Sequence, residues 1–320
     1  MKRYTNLYKD ICNLDNIELA FKEVKRNTRN ERRVVNMKQY KSYYITTVYN
    51  IVTTNSYEVG PYNKFIIHEP KEMLIVSQGV IDKIINHLVA RYILYPAILP
   101  CLLDTNVASR KGLGTAAGLK IAQEYRRICK VKYGTYYILK CDIAKFFNNI
   151  NHNILKQKVR RRIKEKKSLD IINRIIDSND ENGLFIGSMT SQILAIFYLN
   201  DLDHFIKEKL KIKYYIRYQD DFLLFHPSKQ YLKYCFSEIQ NFLEKEKLSL
   251  NKKSRIFKSS DNYVFLGRNK KCQYIRYRSI RRKLKAKKYL YLNGKISVSN
   301  LVDSITCYEQ LTENRLKIYL

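Results

Sequence analysis

The chain lacks clustered histidines and paired cysteines. Its seven cysteines are scattered over 320 residues, with no C-x-x-C spacing and no group of histidines beside them. Zinc sites and disulfide frameworks both depend on such spacing, so the sequence argues against both. The cysteine count is typical of reduced thiols, and we expect the protein to be cytoplasmic.

Long apolar runs are also missing. The longest, residues 92–103, contains two prolines and is shorter than the roughly 20 residues that a membrane-spanning helix needs. Residues 1–5 lack the apolar core of a secretory signal. We therefore expect no membrane partner and no secretion.

Acidic residues are scarce. The chain has 29 Asp and Glu against 60 Lys and Arg, which gives a net charge of +31. Such a chain repels itself unless a polyanion screens it, so the balance indicates a nucleic-acid partner. A low-GC genome would explain the lysines but not the shortage of acids. Hydrophobic residues make up 45% of the chain, enough for a folded core.

The spacing of apolar residues predicts alternating helices and strands. The first 60 residues read as helical, and a hairpin is predicted from strands at 64–68 and 73–76. Further strands are predicted at 136–142, 213–226 and 262–268. Helices are predicted at 80–95, 116–130, 152–178, 190–210 and 228–247, and in the basic tail at 278–320. Strands separated by helices suggest a helix-backed sheet.

The strongest chemical signal is the segment Tyr218-Gln219-Asp220-Asp221, which lies between two apolar, strand-like runs. Two carboxylates in an apolar hairpin are costly unless a cation neutralises them. A third acid, Asp142, ends another predicted strand. Strands that bring Asp142 beside Asp220 would make an oxygen-ligand site for paired Mg²⁺, which supports phosphoryl transfer. The alternative is an ordinary acidic turn.

Three other segments could serve such a site. Phe147 follows Asp142 closely, and its ring could exclude a sugar 2′-hydroxyl, although it could equally be a core residue. Gly187 precedes a Ser/Thr-capped helix, which would let the backbone approach a ligand. Lys253 could neutralise a pyrophosphate leaving group, or belong to a solvated basic loop. Phe265-Leu266-Gly267 predicts a tight turn after a short strand.

Taken in order over residues 60–270, these segments resemble the motif series of a reverse transcriptase. The resemblance implies an α+β, right-hand polymerase with fingers, palm and a short helical thumb. It implies an N-terminal segment and fingers at 1–135 and a palm at 136–270, with a helical fingers segment at about 152–183. A basic helical thumb would follow at 271–320.

The family's site residues carry over onto the matching positions. Asp142, Asp220 and Asp221, with the Ile143 carbonyl, would hold two Mg²⁺ ions, for which Mn²⁺ can substitute. Phe147 matches the family's sugar gate. The remaining expected substrate contacts are Lys71, Arg110 and Lys111 for the triphosphate, because Met73 replaces the usual Arg, and Tyr218 and Gln219 for the primer end.

Among prokaryotic reverse transcriptases, the segment from Ile186 to Gln192 is most similar to that of diversity-generating retroelements. In that lineage an aliphatic residue replaces the common Gln at position 186, and Gln replaces Pro at position 192. Enzymes of this lineage copy a template RNA with frequent misincorporation at adenines, with help from a small basic accessory protein. The likeness implies that Ile186, Gly187 and Gln192 contact the template–nucleotide pair.

The sequence therefore predicts an RNA-directed DNA polymerase that makes cDNA from template RNA, a primer and dNTPs. The error-prone enzyme of a diversity-generating retroelement is the first expectation. A reverse transcriptase of antiphage defence is the alternative, and a catalytically inactive nucleic-acid-binding protein is the third reading.

Overall fold

A computed structural model describes residues 3–67, 73–179, 182–269 and 277–312. The chain divides into two compact units, residues 1–65 with 75–259 and residues 66–74 with 260–320. The expected boundaries at 135/136 and 270/271 stay predictions. The turn expected at 69–72, which includes Lys71, lies outside the described residues.

The N-terminal region is helical, as predicted. Its helices are α1 (Tyr8–Ile11), α2 (Leu14–Asn27), α3 (Glu31–Gln39) and α4 (Lys41–Thr54). Helix α2 begins where the Asn13 side chain accepts hydrogen bonds from the first-turn N–H groups, and it buries Ile17, Phe21 and Val24 at helical spacing. The predicted hairpin is confirmed as β1 (Asn63–Ile67) and β2 (Met73–Ser77).

A helical run crosses the centre of the first unit. It consists of α5 (Val80–Leu88), a π-helical stretch (Val89–Leu94), α6 (Tyr95–Ile98) and a 3₁₀ turn (Leu99–Cys101). Over its 22 residues it is long and apolar enough to cross a membrane, so the expectation of a shorter run was wrong. Its most apolar window is 56% buried inside the protein, and a core helix passes the same test. The expected absence of a membrane partner stays a prediction.

The sheet of the first unit has four antiparallel strands in the order β4-β5-β3-β6. They are β3 (Tyr137–Asp142), β4 (Tyr214–Tyr218), β5 (Asp221–His226) and β6 (Arg255–Lys258). The first three confirm the predictions. The strand predicted at 262–268 was wrong, because Phe265 and Arg268 pair with each other across Leu266 and Gly267, which both have positive φ. That segment reverses direction in the tight turn that the sequence predicted.

Helices pack on the sheet, which confirms the helix-backed arrangement. Their bounds are α7 (Thr115–Tyr133), α8 (Phe146–Asn149), α9 (His152–Arg162), α10 (Lys166–Ile176), α11 (Met189–Tyr198), α12 (Asn200–His204) with a π-helical extension (Phe205–Lys209), and α13 (Lys229–Lys245). Tyr125 of α7 contacts the rings of Tyr214 and Phe225. Helix α13 buries Leu232, Cys235, Ile239 and Leu243 and packs on β3, β5 and β6.

The second unit contains α14 (Tyr277–Leu292) and α15 (Val298–Thr312), which pack on each other. Ile280 and Leu284 of α14 are buried, whereas Arg281, Arg282 and Lys285 are exposed. A helix with one apolar and one basic face fits the basic helical segment that the sequence predicted. The architecture as a whole confirms the α+β class.

Candidate active site

The acidic box forms a hairpin between β4 and β5. Tyr218 pairs with Asp221, so Gln219 and Asp220 are the two residues of the turn. Gln219 has a φ of 55°. A positive φ is unusual for a residue with a side chain, and such conformations concentrate at functional sites. The carbonyl of Gln219 accepts a hydrogen bond of 2.9 Å from Arg217, which fixes the turn.

The structure brings Asp142 and Asp220 together. Strand β3 lies beside β5 with Asp142 opposite Asp221, and the next N–H, that of Ile143, donates to the carbonyl of Asp220 at 3.3 Å. Burial, followed by the negative charge of Asp142, raises the pKa of Asp220 to about 6. Lys140 and Arg217 oppose this shift with their positive charges. The two carboxylates therefore lie close enough to repel each other.

Asp221 is held differently from the other two acids. Its Oδ1 accepts a hydrogen bond of 2.7 Å from Lys140 Nζ, and both side chains are about four-fifths buried. No group of three acidic, histidine or cysteine side chains in the described part of the chain is placed to hold a metal ion. The acids thus form a repelling pair, Asp142 with Asp220, and a neutralised neighbour. The sequence signal for Lys140 was available, since it precedes Asp142 by two residues on the same face of a strand.

The pair fits a divalent cation. Carboxylates are the hard oxygen ligands that Mg²⁺ prefers, and a cation would remove the repulsion between Asp142 and Asp220. The Ile143 carbonyl fits as well, because the N–H of this extended residue already faces Asp220 and the C=O of such a residue points the same way. The four-ligand site, including Asp221 and Ile143, stays a prediction.

The segment that carries Lys253 lies beside Asp142. Asn251 N–H donates to the Asp142 carbonyl at 2.7 Å, and Ser254 Oγ accepts from the Asp142 N–H at 3.1 Å. Lys253 is exposed on the turn between them. The sequence analysis missed Ser254, whose hydroxyl fixes the backbone of β3 at Asp142. The role expected of Lys253 is untested.

Phe147 is half-buried in α8, whereas Phe146 is a core residue. Their rings meet edge to face at 5.6 Å. Gly183, which the sequence analysis missed, closes on this turn with a φ of 87°. A Cβ atom at position 183 would lie 2.9 Å from the Asn148 carbonyl oxygen and 3.0 Å from that of Phe147. The close approach explains the glycine, and the sugar-gate role of Phe147 stays a prediction.

The loop before α7 runs along the outer edge of β4. Arg217 exchanges backbone hydrogen bonds with Thr105 and Val107, and the Gln219 side chain donates to Ser109 Oγ at 2.9 Å. Arg110 follows directly, but its guanidinium donates to the carbonyls of Leu103 and Asn106 within its own loop. Lys111 is exposed. Their expected triphosphate contacts remain predictions.

The Gly187 segment lies at the far end of α11 from the hairpin. Gly187 is exposed with a φ of 116°, Ser188 caps the helix by accepting from the Ser191 N–H, and Gln192 is exposed one turn later. Ile196 near the other end accepts a hydrogen bond from Arg217. Seven residues of helix separate Met189 from Ile196, which is about 10 Å. Contacts of Ile186, Gly187 and Gln192 with a template stay predictions.

A buried ion pair behind the hairpin escaped the sequence analysis. Arg217 and Asp203 are both fully buried. Arg217 donates to both carboxylate oxygens of Asp203 and to the carbonyls of Ile196 and Gln219, and Tyr215 donates to Asp203 at 2.6 Å. In so basic a chain an arginine suggests a nucleic-acid contact, yet strand alternation turns Arg217 away from the acids and into the core.

Residues 73–270 match the family model described as reverse transcriptase (RNA-dependent DNA polymerase). No curated protein sequence matches the chain. The fold is similar to apo telomerase from Candida tropicalis truncated from its C-terminal domain, with a TM-score of 0.52 and 14% identity over 72% of this chain and 58% of the other.

Telomerase from Candida albicans, in complex with a TWJ fragment of telomeric RNA, matches with a TM-score of 0.49 and 13% identity over 74% of this chain and 48% of the other. The chain therefore spans less than two thirds of the length of either telomerase chain. The family model alone covers well over half of the chain. On that match, the chain belongs to the reverse transcriptase (RNA-dependent DNA polymerase) family.

Proposed function

We propose that the protein is an RNA-directed DNA polymerase that copies a template RNA into cDNA by two-metal nucleotidyl transfer. The observation that carries the proposal is the meeting of Asp142 and Asp220 at adjoining strand ends within a chain of this family. The net charge of +31 supports template RNA and primer as partners. Free thiols at the described cysteines are consistent with a cytoplasmic protein.

The proposed chemistry assigns each residue a task. Two Mg²⁺ ions held by Asp142, Asp220, Asp221 and the Ile143 carbonyl would activate the primer 3′-hydroxyl and stabilise the leaving pyrophosphate, and Mn²⁺ could replace them. Lys140 holds Asp221 in position. Other residues would have separate tasks. Lys253 would donate a proton to the leaving group, and Phe147 would exclude ribonucleotides. Tyr218 and Gln219 would pack against the primer end. The triphosphate would be bound by Lys71, Arg110 and Lys111.

Asp220→Asn tests the proposal. The amide removes a metal-binding charge but keeps the shape, so primer extension with Mg²⁺ or Mn²⁺ should disappear while RNA binding stays within about twofold of wild type. Asp15→Asn, at an exposed position of α2, is the matched control and should extend normally. Extension by Asp220→Asn at the wild-type rate would refute the metal role. Loss of RNA binding would instead indicate damage to the fold.

Within this function we propose the error-prone enzyme of a diversity-generating retroelement, assisted by a small basic accessory protein. The support is the sequence from Ile186 to Gln192. Ile186 is half-buried immediately before Gly187. Without the Gln side chain that is common at this position, the protein would hold the template–nucleotide pair less tightly. Restoring the amide with Ile186→Gln should lower misincorporation opposite adenine, and unchanged error spectra would contradict this role.

A reverse transcriptase of antiphage defence remains the second candidate, because such enzymes share most of these motifs. Template and variable repeats near the gene favour diversification, whereas cDNA unrelated to such repeats favours defence. Sequencing the cDNA made in cells separates the two. An extension assay with Mg²⁺ or Mn²⁺ separates both from an inactive nucleic-acid-binding protein.

A further inference from the structure

A cavity of about 280 Å³ opens in the first unit, away from the paired acids. Its walls come from α2, from the middle and end of α5 with the residues just before that helix, and from the segment that leads into α11. The residues that matter for its chemistry are Val24, Lys83, Asn86, Ser188 and Met189. The proposed reaction assigns no role to Lys83, Asn86 or Met189, although Gly187, which also lines the cavity, is expected to contact the template–nucleotide pair.

Lys83 gives the cavity an uncompensated positive charge. Burial, and then the positive charge of Arg33, lower the pKa of its ammonium group. No carboxylate among the described residues pairs with it. Glu23, which precedes Val24 on α2, accepts a hydrogen bond of 2.6 Å from Arg91 and lies 3.4 Å from His87. Two neighbouring cations without an acid between them favour an anionic ligand.

The inner wall is preformed. The amide of Asn86 donates to Gln78 at 3.2 Å and to the Asp82 carbonyl, and its oxygen accepts hydrogen bonds from Ser188 and Thr190. Asn86, Ser188 and Thr190 are all buried. Since these groups satisfy one another, the wall can stay open without a ligand. The aliphatic side chains of Val24 and Met189 offer apolar surface to a flat ring.

The cavity lies a short way from the catalytic hairpin along α11. Met189 lines it, and Ile196, about 10 Å further along the helix, accepts the hydrogen bond from Arg217. That distance equals roughly three steps of stacked nucleic acid at 3.4 Å each. A nucleic-acid strand in the active site can therefore reach Lys83 within a few nucleotides.

We propose that this cavity holds one unpaired nucleotide of the template RNA, a few positions ahead of the primer end, with a phosphate against Lys83 and its base between Val24 and Met189. The inference rests on the proposed polymerase function. A cavity of this volume admits a single splayed nucleotide and not a double helix, and bases of single-stranded RNA are free to be splayed out. During primer extension, the unpaired part of the template is the overhang ahead of the primer.

Overhang length tests the proposal. Binding is measured for one RNA template–DNA primer pair with a 5′ template overhang of one nucleotide and another with six. Wild type should bind the longer overhang about tenfold more tightly, the size of one charge-assisted contact. Lys83→Gln should abolish that gain and lower the salt slope on the longer overhang by about 0.7. Both proteins should bind the one-nucleotide overhang equally.

Lys233→Gln is the matched control, because it removes the same charge from an exposed position of α13. It should keep the full gain from the longer overhang. The inference is overturned if wild type shows no preference for the longer overhang, or if Lys83→Gln weakens both substrates equally. Unchanged thermal unfolding of Lys83→Gln confirms that the variant is folded.

A free nucleotide would offer the cavity the same phosphate and base as a template nucleotide. Millimolar AMP should not displace the long-overhang substrate, whereas displacement that depends on Lys83 would assign the cavity to a free nucleotide and overturn the template assignment. Failure of the polymerase function is recognised separately. In that case wild type would not extend a primer on either overhang.

Discussion

Asp220 combines burial with a like charge close by, and both raise its pKa, to about 6. A carboxyl whose pKa rises on folding weakens the folded state wherever it is ionised. The penalty is complete above about pH 6 and fades as the pH falls towards 4, where the carboxyl of the unfolded chain also takes up its proton. The pair of Asp142 and Asp220 therefore costs stability at neutral pH in the absence of metal ions.

Asp220→Asn should consequently stabilise the metal-free protein at pH 7.5, by roughly 1–3 kcal/mol. The gain should shrink at pH 5, where Asp220 is already mostly protonated. Thermal unfolding with EDTA at both pH values measures it, and an equal gain at both would contradict the role of charge. Added Mg²⁺ should raise the unfolding temperature of wild type and leave that of Asp220→Asn unchanged.

Gly183 is the second residue with a sharp expectation. Alanine there must adopt a positive φ and place its Cβ 2.9 Å from the Asn148 carbonyl oxygen. Gly183→Ala should lower the free energy of unfolding by about 2–4 kcal/mol, since the contact is with backbone that cannot swing away. If Phe147 excludes ribonucleotides, the displaced turn should also relax discrimination between dNTPs and rNTPs.

Gly134→Ala is the control for this change. Gly134 also has a positive φ, of 64°, but nothing lies within 4 Å of the place that a Cβ atom would take there. It should cost only the φ strain, about 1 kcal/mol. Equal losses at positions 134 and 183, measured by denaturant unfolding, would show that the approach to Asn148 is unimportant.

At the scale of elements, the Arg217–Asp203 pair ties α12 to the catalytic hairpin. Removing one partner leaves the other charge buried and unpaired, which typically costs about 3–5 kcal/mol. Asp203→Asn should therefore lower stability strongly, and it should lower kcat more than it raises KM, because Arg217 also fixes the Gln219 carbonyl beside Asp220.

Tyr215→Phe distinguishes an effect on the position of the hairpin from an effect on the stability of the protein. It removes one hydrogen bond to Asp203 while the ion pair stays, so about 1 kcal/mol of stability should be lost. Primer extension at a temperature where the variant is fully folded should stay near wild type. A kcat as low as that of Asp203→Asn would show that the ion pair alone does not position the hairpin and that the Tyr215 hydroxyl is also required.

Some elements could be predicted from the sequence and others could not. Asp142, Asp220 and the strands that carry them follow from apolar runs that end in acids. Strand β6 did not, because two of its four residues, Arg255 and Lys258, are exposed cations and the strand pairs only with β3. The Arg217–Asp203 contact joins residues from two elements that no periodicity relates, and a basic chain makes Arg217 look like a surface residue.

At the scale of the whole molecule, the net charge of +31 predicts that the affinity for nucleic acid depends strongly on salt. Each phosphate contact releases counterions, so affinity should fall linearly with salt on logarithmic axes. If six or more phosphates of a primer–template are contacted, raising salt from 50 to 200 mM should weaken binding by about 10³-fold or more. A slope near zero in a filter-binding titration would rule out backbone recognition.

The two-residue turn between Tyr218 and Asp221 has a further consequence for how this sequence can vary. Side chains along β4 and β5 alternate between the two faces of the sheet, so one inserted or deleted residue in either strand would exchange the two sets. Asp221 would then point into the apolar packing that Phe222 now occupies. We therefore expect related proteins to tolerate substitutions within residues 218–221 but not insertions or deletions.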